Sequence, residues 1–155
     1  MKPFVCLLIS LFVANLPVVS ASEVDFGYGA LANKYFKLWV KTQSQNATKQ
    51  DLEGYLSLLS DNVVWQHIPY QPSDERKPNG KQILRKGMTR WLAVNTEYSA
   101  KLIDVMFGGN VIVIKYQAKM KLNDDNGKVL SIERNHIHLL ELENGKVAII
   151  RVYGK

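Results

Sequence analysis

Cysteine is almost absent from this 155-residue chain, and Cys6 is the only one. It lies in a segment that reads as a leader. Lys2 supplies the charged start, Phe4 to Val13 a short apolar core, and Pro17 a break. Val19-Ser20-Ala21 closes the segment with small side chains. This is the pattern of a secretory signal peptide cut after Ala21. The apolar run is too short and too interrupted for an uncleaved membrane anchor. Cys6 also sits too near the start to be a lipidation site. The expected organisation is a signal peptide over residues 1–21 and one domain over residues 22–155. The 134 residues that remain carry no thiol, which excludes disulfides and thiol chemistry. They are enough for one real core. A secreted domain that holds together without disulfides fits a bacterial periplasm better than an extracellular animal setting. Asn46-Ala47-Thr48 matches a glycosylation sequon, a triplet common by chance.

Internal repeats, low-complexity tracts and a second apolar run of membrane length are also missing. No membrane partner is expected once the leader is removed. Charge is modestly one-sided, with 20 Lys and Arg against 14 Asp and Glu. Losing Lys2 brings the balance to 19 against 14, a net +5. The cations do not cluster with interleaved aromatics, as a nucleic-acid surface would require. Lys115, Lys119 and Lys121 alternate along one strand with Gln117 and read as a solvated face.

What is present falls into two periods. Leu31, Tyr35, Leu38 and Trp39 recur at helical spacing, which predicts a helix over residues 28–42. Thr48 followed by Asp51 comes close to a capping box, and Leu52, Tyr55, Leu56 and Leu59 form the stripe of a second helix. Val63 to Ile68 reads as a strand stopped by Pro69. Residues 70–79 form a polar loop, a candidate lid. Ile83, Leu84, Met88, Trp91 and Leu92 place a third helix over residues 80–94. From Tyr98 the period becomes two. Strands are expected over 98–107, 111–122, 129–143 and 146–153, with turns at Gly108-Gly109-Asn110, Asp124 to Gly127, and Asn144-Gly145. Helices first and an antiparallel meander last is an α+β layout.

Alternation then assigns the faces. In the strand from Val111, Ile112, Ile114, Tyr116, Ala118, Met120 and Leu122 share the apolar and hence inner face. In the next strand, Leu130, Ile132, Arg134, His136, His138, Leu140 and Leu142 share a face whose ends are apolar. Arg134, His136 and His138 are therefore expected in a row inside an apolar cup, unless a bulge reverses part of the strand.

Trp65-Gln66-His67-Ile68-Pro69-Tyr70 with Gly80-Lys81, and Glu143-Asn144-Gly145-Lys146-Val147 with Arg151-Val152-Tyr153, resemble the NTF2-like superfamily and its SnoaL-like members. The resemblance covers nearly the whole mature chain. It implies a cone in which three N-terminal helices pack on a strongly curved, mostly antiparallel sheet around one pocket. The final acid typical of SnoaL-like strands is replaced here by Lys155. The limonene-epoxide-hydrolase pattern is similar but loses its chemistry in this chain. Tyr116 stands where its Arg should be, Ala118 and Val152 where its two Asp should be, and His67 where its Asn should be. Ketosteroid isomerases resemble the chain at fold level only, because no inward carboxylate stands out as their base. Asp104 is the nearest, and its facing is ambiguous.

The chain has three histidines, His67, His136 and His138. His136 and His138 lie about 7 Å apart along one strand face. Three convergent histidines are a possible zinc set, but no acidic residues stand behind them. No metal and no cofactor is therefore expected. Neutral His67 or His136 is a candidate general base, with Arg134 or Tyr116 steadying negative charge. The blander reading makes Trp65, Tyr70, Tyr116, Arg134 and His138 a ligand-binding lining. The expectation is thus a secreted domain that binds a small, mostly apolar molecule. The alternatives are a cofactor-free isomerase or lyase, and a homodimeric interaction module joined through the outer sheet face.

Overall fold

The computed structural model describes residues 21–154 apart from positions 71, 73, 74 and 125, with the backbone alone for residues 21–26. The expected signal peptide falls outside the described residues but for the backbone of Ala21. No helix among the described residues is long and apolar enough to cross a membrane.

Three helices pack on one face of a curved, unclosed five-stranded sheet, the α+β cone expected. Helix α1, Ala21–Gln43, buries Ala32, Tyr35 and Thr42. Helix α2, Lys49–Leu56, starts on a true capping box. The Thr48 hydroxyl accepts from the Asp51 N–H, and the Asp51 carboxylate accepts from the Thr48 N–H. Both donors are free at a helix start and need these acceptors. Strand β1, Leu59–Ile68, begins four residues earlier than alternation suggested, because Leu59 pairs with Val147 across a register shift. Helix α3, Gly80–Thr89, opens on a glycine for a steric reason. A Cβ at residue 80 would collide with the Val63 carbonyl, so α3 reaches β1 only through a bare backbone. It stops at Thr89 rather than residue 94. Trp91 and Leu92 lie in turns, and Ala93 takes a left-handed φ of 59°.

The remaining strands are β2 Glu97–Gly108, β3 Val111–Asn123, β4 Val129–Glu143 and β5 Lys146–Gly154. Their order is β1-β5-β4-β3-β2, with β1 parallel to β5 and the other pairs antiparallel. Asn144 and Gly145 both take positive φ, 49° and 71°, as a tight hairpin turn demands.

The register of β3 against β4 runs unbroken from Val111↔Glu141 to Asn123↔Val129. No bulge intervenes there, so the row Arg134, His136, His138, Leu140 does share one face. That row changes character along its length. Leu140 and His138 are buried, His136 is half-buried and Arg134 is exposed. The reason is topological. Strand β5 pairs with β4 as far as Gly154, opposite His136, and among the described residues no strand pairs with β4 on that side beyond it. Only His138 bears the full cost of burial.

Candidate functional site

A cavity of about 620 Å³ opens between α1, β1 and α3. Trp39, Trp65, Leu84, Met88 and Trp91 make it apolar, and Gly87 leaves one patch of wall bare. Thr42, Gln43 and His67 supply its polar groups. Thr42 is committed to the Trp39 carbonyl, and the Gln43 amide N–H donates to the Thr42 hydroxyl. The exposed His67 ring stands edge-on to Trp65, with centroids 6.2 Å apart. This volume and mix of walls suit a drug-sized organic molecule held by a few polar groups.

Behind the Trp39 and Trp65 walls lies a chain of buried hydrogen bonds. The Tyr55 hydroxyl donates to the Tyr35 hydroxyl at 3.1 Å. Tyr35 lies 3.0 Å from His138 Nδ1, and Tyr116 lies 3.0 Å from His138 Nε2. Trp39 Nε1–H donates to the Tyr116 hydroxyl, also at 3.0 Å. Counting protons fixes the tautomer. Tyr35 already accepts from Tyr55, so its own proton must go to His138 Nδ1. His138 then carries its proton on Nε2 and gives it to Tyr116. The opposite tautomer would strand the Tyr35 proton in a dry core. Tyr116 therefore accepts two hydrogen bonds and keeps its own proton available to donate.

Burial sets the charges of this chain. It drives the His138 pKa down to about 3, with smaller contributions from His136 and His67, so His138 is neutral. Burial likewise pushes Tyr35, Tyr55 and Tyr116 well above the usual phenol range, and Tyr98 up to about 12. All four phenols keep their protons at neutral pH. His136 is shifted down by burial first, then by Arg134 and His67. It is neutral at pH 7 and stacks on Tyr116, with centroids 5.1 Å apart and planes 18° apart. Its buried Nδ1 has no partner among the described residues. Gly154 makes the room, since a Cβ there would come within 2.6 Å of that nitrogen.

The residues singled out from sequence thus separate. Trp65 and His67 line the cavity. Tyr116 and His138 lie behind it in the hydrogen-bonded chain. His136 stacks on Tyr116, and Arg134 projects exposed from the next inward position of β4. Tyr70, 76% exposed, is not part of the cavity lining. His138 has both nitrogens committed to tyrosines, so three histidines cannot converge on one ion. Among the described residues no group of three or more metal-ligating side chains is placed to hold one. Sequence reading missed Tyr35 as a partner of His138 and Tyr55 as the donor behind it. Both were legible as helix-stripe residues, but Tyr35 and His138 are 103 residues apart, and only packing joins them.

Solved structures with this fold are numerous. A putative SnoaL-like polyketide cyclase from Shewanella denitrificans OS-217 is similar with a TM-score of 0.64 and 12% identity, over 83% of this chain and 90% of that one. A second putative SnoaL-like polyketide cyclase, from Shewanella putrefaciens CN-32, gives 0.62 and 14%, over 82% and 88%. An epoxide hydrolase of M. tuberculosis, LEH-like, gives 0.58 and 12%, over 81% and 84%. At such identities the likeness is one of fold. No protein of curated function matches the chain. The sequence profile of the SnoaL-like domain matches residues 40–150, and the chain belongs to that family.

Proposed function

We propose that the protein is an exported, periplasmic binding protein for a small, mostly apolar molecule bearing one anionic or strongly polar group. The observation that carries this reading is the tryptophan-walled cavity of about 620 Å³. Three indoles give broad, rigid contact area at little entropic cost. His67 offers a polar contact at the rim. Arg134 makes no hydrogen bond or ion pair among the described residues and is the cation we assign to an anionic end.

The test uses two fluorescent probes, anilinonaphthalene sulfonate and the uncharged phenylnaphthylamine. Trp65→Ala should weaken both about tenfold or more, in line with losing a buried aromatic contact. Arg134→Gln should weaken only the sulfonate. Equal affinity of both variants and wild type for both probes would falsify the assignment of this cavity.

One observation favours a second reading, a cofactor-free isomerase or lyase. His136 is neutral at pH 7, half-buried, and stacks on Tyr116 on the strand face it shares with Arg134. Neutral imidazole next to a hydroxyl donor and a cation is a workable base with stabilisers for developing negative charge. His67 is the other candidate base. Turnover lost in His136→Gln or His67→Ala, with probe binding kept, is the result that separates this reading from simple binding. We also assign a homodimer to the convex sheet face, where Met106, Ile137 and Tyr153 are exposed. Sedimentation of Ile137→Lys against wild type tests it, and an unchanged mass at all concentrations refutes it.

A further inference from the structure

We infer that the outer face of α3 docks on an anionic lipid surface. The helix has two distinct jobs on its two sides. Leu84, Gly87 and Met88 wall the cavity. The other side exposes Ile83 at 52%, and the turns that follow expose Trp91 at 70% and Val94 at 42%. Ile83 lies one turn from Lys86 on the helix, and Arg90, Trp91 and Val94 follow in the cap and the turns, with Trp91 at the cavity rim. Apolar side chains interspersed with cations therefore border the cavity.

Charge complementarity selects the partner. Residues 80–94 contain four cations and no acid. Two of the four are committed within the fold, Lys81 to Asp61 at 2.8 Å and Arg85 to Glu53 at 2.6 Å. Lys86 and Arg90 have no ionic or hydrogen-bonded partner among the described residues. An exposed indole favours the boundary between water and hydrocarbon, and flanking Lys and Arg favour anionic headgroups. A second copy of this chain, docked face to face, would bring these cations against one another. A nucleic acid would answer the cations and leave Ile83 and Val94 in water. An anionic bilayer answers both the apolar residues and the cations. Nothing in the contact crosses the membrane, so it needs no spanning helix. A cavity that borders the bilayer also suits an apolar ligand, although the docking itself needs none.

The exported protein, its N-terminus read by mass spectrometry to show that the leader is gone, is sedimented with vesicles without ligand. One set is phosphatidylcholine alone, and the other is equal parts phosphatidylcholine and phosphatidylglycerol. Binding is expected to the phosphatidylglycerol vesicles only and to fall with salt. Lys86→Gln with Arg90→Gln should lower the partition coefficient about twenty- to thirtyfold, at about fivefold per cation. Ile83→Ser should lower it about tenfold by removing apolar insertion. Neither change touches a cavity residue, so phenylnaphthylamine binding should be unchanged in both, and this readout keeps a failed docking separate from a failed cavity. The inference is overturned by absent binding, by equal binding to both vesicles, or by an Ile83→Ser variant that binds as wild type. It is also overturned by a dimer that Ile83→Ser dissolves while vesicles stay unbound.

Discussion

Acidification should unfold this protein through one buried imidazole. His138 titrates near 6.5 when exposed in the unfolded chain and near 3 in the fold. Above pH 6.5 both states hold it neutral, and its effect on stability is nil. As pH falls below 6.5 the unfolded state takes up a proton that the folded state refuses. Stability then drops by about 1.4 kcal/mol per pH unit until the folded pKa is reached. At pH 5 the loss from this residue is about 2 kcal/mol, a large part of the margin of a domain this size. His136 adds to it with the same sign, since its pKa is also lowered. The groups that touch His138 offer no compensating anion. Tyr35 and Tyr116 are protonated phenols, and Trp39 and Trp65 pack against its faces. The ion-paired carboxylates of Asp51, Glu53, Asp61 and Glu143 are held low by their partners. They act in the same direction, but only as pH falls through the ordinary carboxylate range and below it. Urea denaturation followed by tryptophan fluorescence at pH 7.5, 6 and 5 gives the slope. The control is His138→Gln, whose amide can hydrogen-bond to both tyrosines but does not titrate. Its burial cost is the same at every pH, so its stability should be nearly flat from pH 6.5 to 5. If the variant loses stability as steeply as wild type over that range, His138 is not the titrating group and the reasoning fails.

Gly80→Ala should cost about 2 kcal/mol or more and lower the melting temperature, since the added methyl meets the Val63 carbonyl and α3 must retreat from β1. Tyr116→Phe should destabilise by about 1–3 kcal/mol in urea melts, because it strands the Trp39 and His138 N–H donors in the core. A smaller effect would mean that water replaces the hydroxyl. Thr48→Ala should cost about 1 kcal/mol by thermal melting, the ordinary loss of an N-cap. Gly154→Ala should displace the His136 ring and move its NMR titration.

Local signals were read correctly where the residue alone sets the backbone. Asn144-Gly145 demands its turn, Thr48 with Asp51 demands its cap, and the alternation of β3 places Ile112, Ile114, Tyr116 and Ala118 inward without reference to any partner. The errors lie where another segment decides. Leu59 looked like the end of a helix stripe but is a strand residue, because Val147 pairs with it. The periodicity through Trp91 and Leu92 looked like helix, but Ala93 turns the chain. The parallel contact of β1 with β5, which sets Trp65 beside the cavity, leaves no mark on either strand. For the site, facing was legible and depth was not. Arg134, His136 and His138 follow from period two, yet their exposure follows from where β5 stops.

Depth determines what each of those three side chains can do, and it makes them unequal members of one row. His138 is sealed between two tyrosines, with both nitrogens occupied and a pKa about 3. It can neither bind an ion nor collect a proton at neutral pH, and its effect on any activity is exerted through Tyr116. His136, one pleat outward, is still neutral but keeps a nitrogen uncommitted. Arg134, a further pleat outward, is exposed to water. The same strand thus passes from a sealed to a half-buried to an exposed side chain within five residues. The gradient comes from β5 ending at Gly154 rather than from the side chains themselves. Alanine at position 138 would therefore abolish function by opening the core, and would say nothing about chemistry. Changes at His136, Arg134, His67 and Trp65, made in a protein shown to keep its fold, are the ones that bear on the proposed function.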